Sequence, residues 1–139
     1  MVSPLSRSEI MSRVKARDTK PELITRRLVH ELGFRFRLHR RDLPGTPDLV
    51  FPRLRLALFV HGCFWHRHLN CKLTTTPKTN ADFWSEKFSQ NMKRDDVAAR
   101  RLRAAGWSVQ IVWGCETRNP ERLRKRLAKL LKRLNNSAN

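Results

Sequence analysis

The densest group of chemically reactive side chains lies between residues 61 and 71. This stretch reads HGCFWHRHLNC, and it holds three of the five histidines and two of the three cysteines. Thiolates and imidazoles together form the usual ligand set of a structural Zn²⁺ site. An odd number of cysteines argues against a disulfide framework. The composition of this loop therefore predicts a structural zinc site.

Four ligands complete a tetrahedral zinc site, and the three cysteines can supply three of them. Cys63 and Cys71 close the loop, and Cys115 follows the last predicted strand. We choose His68 as the fourth ligand, and the spacing leaves His66 as an alternative. Buried thiols without a metal are the other interpretation, but these cysteines lie in the least regular part of the chain, where a metal would supply order.

A carboxylate marks a second candidate site. Asp48 follows the turn PGTP at 44–47 and opens a short strand, next to a strand that ends at His61. A carboxylate at a sheet edge can hold Mg²⁺ against a phosphate. An aspartate that caps the amides of a turn explains the residue equally well.

The charge of the chain indicates the kind of partner. The 139 residues include 30 Lys and Arg against 12 Asp and Glu, a formal charge of +18. This excess predicts a polyanionic partner, nucleic acid before an anionic membrane surface. The longest apolar run, at 56–60, is far too short to span a membrane. The first residues contain no apolar stretch of signal-peptide length, so we expect an intracellular protein.

The elements that position these residues follow from hydrophobic periodicity. The predicted order is α-β-β-β-α-β-α: a helix between the Thr19 cap and Gly33, strands at 34–39, 48–51 and 56–61, a helix at 80–105, a strand at 107–113 and a helix from 119 to 134. A long crossover helix before the fourth strand predicts a mixed four-stranded sheet with helices on its faces. We predict one domain over 18–134, a basic DNA-contacting arm over 1–17 and a polar tail over 135–139.

Several sequence blocks resemble the very short patch repair (Vsr) endonucleases. They are PGTPD at 44–48, FVHGCFWH at 59–66, FWSEK at 83–87, GW at 106–107 and IVW at 111–113. The resemblance runs from about Ser12 to about Leu131. It implies a restriction-endonuclease-like α/β fold of the PD-(D/E)xK type with a structural Zn²⁺. It also implies Mg²⁺-dependent nicking of one strand of double-stranded DNA at T:G mismatches that arise from 5-methylcytosine deamination.

The resemblance implies roles for individual residues. Asp48 matches the aspartate that binds Mg²⁺, and Val60 matches a residue whose backbone carbonyl helps to hold the ion. His61 and His66 match the active-site histidines, and His66 is the better candidate for acid–base work because imidazole titrates near neutrality. Glu22 matches an acidic residue that supports the site, although a helix-capping role alone would explain it. The family's zinc ligands match Cys63, His68, Cys71 and Cys115.

Aromatic side chains near these sites are candidates for DNA contact. Phe64 and Trp65 can wedge between base steps, which unstack most easily at a mismatch. Trp84 joins them in the resembled family, but its place on an apolar helix stripe favours a core role equally. The resemblance places the segment near Met11 in the opposite groove. Two polar residues that follow Trp84 are further candidates: Lys87 and Asn91.

Two other functions stay open at this point. One is a zinc-stabilised DNA-binding protein that does not cut, and the other is a nuclease of the same fold with a different DNA target. The resemblance also implies a monomer and a functional link to a DNA cytosine methyltransferase.

Overall fold

The computed structural model describes residues 18–138, so the predicted arm over 1–17, including Met11, lies outside the described residues. Within this range the predicted order of elements is confirmed. The elements are α1 (Lys20–Glu31), β1 (Arg37–Leu38), β2 (Leu49–Phe51), β3 (Leu56–His61), α2 (Ala81–Ala104), β4 (Ser108–Trp113), a 3₁₀ turn (Gly114–Arg118) and α3 (Pro120–Ala138). None of the helices within 18–138 has the length and apolar character to cross a membrane.

The four strands form one mixed sheet in the order β1-β2-β3-β4. The first two pairings are antiparallel, whereas β3 and β4 are parallel. In the parallel register His61 pairs with Trp113. The carboxyl ends of β3 and β4 therefore meet at one edge of the sheet, and the start of β2 lies at the same edge.

Helices cover both faces of this sheet. Alternation along β2 and β3 places Leu49, Phe51, Leu56 and Leu58 in the cluster that packs with α1 and α3. The intervening residues pack with Leu102 of α2 on the other face. Burying one such side chain contributes roughly 1.5–3 kcal/mol, so the core fixes the strand ends that carry the candidate site.

The turn before β2 packs tightly against α2. Gly45 has a φ of +75°, and a Cβ added there would lie 2.6 Å from the Cβ of Ala98. Only glycine adopts this conformation readily and permits so close an approach. The contact brings the C-terminal half of α2 to the segment that leads into Asp48.

The first strand is shorter than predicted. The alternation over 34–39 predicted a half-buried strand, but only Arg37 and Leu38 pair with β2, and both are exposed. Phe34 and Phe36 still pack against the core from the loop that precedes the strand. β1 is an edge strand, and it ends where His39 takes a positive φ of 47°.

The last helix is longer than predicted. Residues 135–138, which were expected in a polar tail, continue α3. Residues 135–137 are polar and need no core contact to extend the helix, and the Ser137 hydroxyl donates a hydrogen bond to the Arg133 carbonyl at 3.1 Å.

Candidate active site and metal cluster

Two carboxyl groups meet near the start of β2. The Asp48 Oδ2 atom accepts a hydrogen bond from the backbone N–H of Val60 at 2.7 Å, which ties Asp48 to β3. Burial raises the pKa of Asp48 to about 8, and the neighbouring Glu22 carboxylate adds to the shift. Two neighbouring carboxyl groups repel each other when both are ionised, so the pKa of one of them rises. This donor set fits a divalent cation with oxygen ligands.

Glu22 reaches this pair from the first turn of α1. Its backbone N–H donates to the Thr19 hydroxyl at 3.3 Å, so the predicted N-cap is present. Its buried carboxylate instead accepts from Arg26 and from the His39 ring. Burial acts to raise the pKa of Glu22, but hydrogen bonds from His39 and Asp48 outweigh it and lower that pKa. The Thr19 cap uses the backbone of Glu22, and its carboxylate accepts from the Asp18 N–H at the helix start as well as from the His39 ring.

Two histidines stack at the end of β3. The rings of His61 and His66 are 3.8 Å apart and nearly parallel. His66 Nδ1 lies 2.6 Å from Asp95 Oδ2, and His61 Nε2 lies 4.0 Å from the other oxygen of that carboxylate. Burial and the neighbouring His66 lower the pKa of His61 to about 4. His61 is therefore a neutral imidazole near pH 7, and its buried Nδ1 has no hydrogen-bond partner within residues 18–138.

Asp95 and His39 take part in the site although the sequence analysis did not single them out. Asp95 lies on the same face of α2 as Trp84, Phe88 and Asn91, at steps of four, three and four residues. An acidic residue in register with that stripe was the available signal. His39 had a weaker signal, since it was only the last residue of a predicted strand.

The cysteines and one histidine form a second cluster. Ligand atoms of Cys63, His68, Cys71 and Cys115 all lie within 4.8 Å of one another. The Nδ1 atom of His68 is 3.6 Å from the Cys63 sulfur and 3.4 Å from the Cys115 sulfur. Three thiols and one imidazole at this spacing can hold a metal ion, and the donor set fits zinc.

The alternative ligand, His66, lies elsewhere. It belongs to the group formed with His61 and Asp95. His68 is held by the indole of Trp113, which stacks on it with ring centres 4.2 Å apart. The same indole meets the ring of His61 edge-on, at 5.5 Å. Trp113 therefore lies between the metal cluster and the histidine pair.

The candidate DNA-contacting aromatics form a packed cluster. Phe64 packs edge-on against Trp65, Trp84 and Phe88, with ring centres 5.2–5.9 Å apart. Trp84 is only 3% exposed, which favours its core interpretation. Phe64 and Trp65 are partly exposed. The Lys87 ammonium lies 5.7 Å from the centre of the Trp65 ring.

Asn91, a further candidate for DNA contact, lies on α2. Its side-chain amide donates a hydrogen bond to the Trp65 carbonyl at 3.4 Å, so Asn91 lies beside a partly exposed aromatic.

The mixed sheet has a carboxyl pair and a histidine pair near its strand ends, and the chain carries a formal charge of +18. Together these features indicate an enzyme that acts on a polyanion. Comparison with known proteins identifies the class of enzyme more closely. The family model described as "DNA mismatch endonuclease Vsr" matches residues 1–73. The type II nicking enzyme V.XorIIP of Xanthomonas oryzae pv. oryzae is 48% identical over 130 residues, which are 94% of this chain and 95% of that protein.

Two further relatives also carry names of DNA-nicking or mismatch enzymes. The DNA mismatch endonuclease Vsr of Escherichia coli K12 is 42% identical over 118 residues, 85% of this chain and 75% of that protein. The type II nicking enzyme V.NmeAIP of Neisseria meningitidis is 37% identical over 128 residues, 92% of this chain and 91% of that protein. The chain belongs to the Vsr DNA mismatch endonuclease family and is a DNA nicking endonuclease.

Proposed function

We propose that this enzyme nicks one strand of duplex DNA at T:G mismatches that arise from 5-methylcytosine deamination, by Mg²⁺-dependent hydrolysis of a phosphodiester. The observation that carries the proposal is the Asp48–Glu22 carboxyl pair, tied through the Val60 N–H to the strand that ends at His61, whose ring stacks on that of His66. The relative from E. coli is named a mismatch endonuclease, which supports the choice of target. The family supports a restriction-endonuclease-like fold for the domain.

The carboxyl pair is the proposed place for the catalytic metal. Asp48 and the backbone carbonyl of Val60 would hold Mg²⁺, with Glu22 beside them. A bound Mg²⁺ supplies Lewis-acid stabilisation of phosphate charge. Without a cation, Asp48 takes up a proton at neutral pH because its carboxyl group is buried beside another.

The histidine pair is the proposed acid–base part of the site. Asp95 holds Nδ1 of His66, so Nε2 is the ring atom left to exchange a proton with water or with the leaving oxygen. His61 stays neutral and buried, and its ring limits how far His66 can rotate. We assign His66 the proton transfer and His61 a supporting contact.

The cysteine-rich cluster is the proposed structural zinc site. Its ligands come from the loop after β3 and from Cys115, which follows β4. A metal there would fasten the two strand ends to each other, and structural zinc contributes directly to folding stability.

Mismatch preference is proposed to come from the aromatic cluster. Phe64 and Trp65 are its partly exposed members and could insert between bases that are weakly stacked, as they are at a mismatch. Trp84 is buried and packs against both rings. Lys87 and Asn91 lie beside Trp65 and are proposed to contact the DNA. Met11, in the N-terminal arm, is proposed to contact the opposite groove.

Partners follow from the same chemistry. A cytosine methyltransferase creates the 5-methylcytosine whose deamination leaves a T:G mismatch, so we propose a functional link to such an enzyme. We propose that the nuclease works as a monomer. The second candidate function is nicking at a different DNA target, because several relatives are named as nicking enzymes.

Strand-labelled duplexes test the proposed function. Matched duplexes and T:G duplexes are incubated with Mg²⁺ or without it, and Asp48→Asn is compared with Asp42→Asn, a change at an exposed aspartate. We expect a nick in one strand of the T:G duplex, only with Mg²⁺, from the wild type and the Asp42 variant. Equal cutting of matched duplexes would favour the second candidate, and nicking by Asp48→Asn would move catalysis elsewhere.

A further inference from the structure

His39 connects the two carboxyl residues of the proposed site. Its Nε2 atom lies 3.1 and 3.0 Å from the two carboxylate oxygens of Glu22. Its backbone N–H donates a hydrogen bond to the backbone carbonyl of Asp48 at 3.2 Å. One residue thus contacts α1 through its side chain and the segment before β2 through its backbone.

Apart from Asp48 itself, the other groups that bind the Glu22 carboxylate belong to its own helix or to the residue just before the helix cap. Arg26 lies one turn further along α1, and the backbone N–H of Asp18 lies just before the N-cap, 3.0 Å from Glu22 Oε2. These contacts orient the carboxylate relative to α1. His39 comes from the edge of the sheet, so its contact sets where that carboxylate lies relative to Asp48.

The backbone of His39 is held in an uncommon conformation. Its φ of 47° lies in the left-handed region, which few residues other than glycine adopt. β1 ends at Leu38, and the next residue, His39, both turns the backbone and carries the ring that reaches Glu22. The side chain is 13% exposed, so the ring is enclosed by its neighbours. Such conformations persist where surrounding contacts hold them.

We propose that His39 is a positioning residue for the nicking reaction. Its Nε2–H donates to Glu22 while its backbone holds Asp48, so the two carboxyl groups keep the separation that a divalent cation requires. The inference rests on the proposed function, because it assumes that Asp48 and Glu22 take part in the reaction. His39 acts through Glu22 and does not contact the DNA.

Two amide variants separate this role from a general structural one. The amide nitrogen of Gln lies about where Nε2 of a histidine lies, whereas the amide of Asn reaches only as far as Nδ1. Asn also tolerates the left-handed backbone well. His39→Gln therefore keeps the donor to Glu22, and His39→Asn removes it while it preserves the turn. His30→Asn, at an exposed position of α1, is the matched control.

The readouts are the single-turnover nicking rate on a T:G duplex, the Mg²⁺ concentration at half-maximal rate and the Kd for DNA without Mg²⁺. We expect His39→Asn to slow nicking about tenfold or more, the effect of roughly one lost hydrogen bond to a charged group. It should also raise the Mg²⁺ midpoint and leave the Kd unchanged. His39→Gln should stay within about twofold of wild type, and His30→Asn should match it.

A double variant tests whether His39 acts through Glu22. If it does, adding His39→Asn to Glu22→Gln slows nicking no further than Glu22→Gln alone. A further loss in the double variant, or equal rates for the Asn and Gln variants, overturns the proposal. All variants are compared as folded protein by circular dichroism, and His39→Ser, which also lacks reach, replaces the Asn variant if that variant does not fold.

Asp48→Asn keeps this inference separate from the proposed function. An active Asp48→Asn enzyme overturns the proposed site as a whole. An inactive Asp48→Asn enzyme together with a fully active His39→Asn enzyme overturns only the positioning role.

Discussion

Replacing Asp48 by asparagine is expected to stabilise the protein in Mg²⁺-free buffer while it abolishes nicking. Burial and the neighbouring Glu22 raise the pKa of Asp48 to about 8, from an ordinary value of 3.8 for an aspartate. The folded state therefore holds a proton that the unfolded chain has released, and the wild type loses stability as pH rises from about 4 to about 8. The amide oxygen of asparagine can still accept from the Val60 N–H.

The two pKa values set the size of the effect. At 1.36 kcal/mol per pKa unit, the carboxyl group costs the folded wild type roughly 4 to 5 kcal/mol at pH 7 and roughly 1 to 2 kcal/mol at pH 5. Asp48→Asn removes this titration. Between the two pKa values, its stability advantage over wild type should grow by about 1.4 kcal/mol per pH unit, which is about 3 kcal/mol from pH 5 to pH 7, and it should become constant above about pH 9.

Urea unfolding at several pH values, without added Mg²⁺, measures this difference. Added Mg²⁺ should then stabilise the wild type and leave Asp48→Asn unchanged, because ligands stabilise the state that binds them. Asp42→Asn is the control, since Asp42 is an exposed aspartate paired with Arg40. A difference between wild type and Asp48→Asn that does not change with pH, or an Asp48 variant that is less stable at pH 7, would refute the reasoning.

Three further predictions concern the other parts of the site. Cys115→Ser should fold poorly, and metal analysis should find one zinc per wild-type chain; an active enzyme without zinc would contradict a structural metal. The double variant Phe64→Ala, Trp65→Ala should lose roughly a hundredfold of the preference for T:G over matched duplex, because base–aromatic stacking contributes ~1–3 kcal/mol per base. Its salt-dependent binding to DNA should remain. An unchanged preference in binding assays would mean that these rings only pack in the core. Asp95→Asn should slow single-turnover nicking at least about tenfold without changing the DNA affinity. The asparagine amide can donate to Nδ1 of His66, which would move the ring proton to Nε2 and so reverse the tautomer. An unchanged rate and pH profile would show that Asp95 has no part in the acid–base chemistry.

Local patterns sufficed to predict the elements and the metal cluster. The apolar stripe of α3 and the alternation along β2 and β3 reflect burial, which leaves a periodic trace in the sequence. Cys63, His68 and Cys71 are close in the chain, and Cys115 follows a strand that was expected in the same sheet. A metal-binding cluster of this kind can be predicted because few residue types bind metal ions.

The supporting contacts were harder to predict because they depend on tertiary approach. Asp95 meets His66 from 29 residues away, across the packing of α2 on the sheet. His39 meets Glu22 only because β1 ends in a left-handed turn. The short β1 was over-predicted for the same reason, since alternation records which side chains face the core and does not record whether the backbone finds a partner.

The parallel pairing of β3 and β4 has a consequence for the newly made chain. β4 and Cys115 leave the ribosome last among the elements that build the site, and the partner of β3 in this pairing is absent until they do. A nascent chain that ends in α2 already carries many of the cations that attract DNA, yet it lacks the strand that fixes the end of β3. We therefore expect chains that stop before β4 to be unable to nick DNA: cutting ability arises only once synthesis has passed β4.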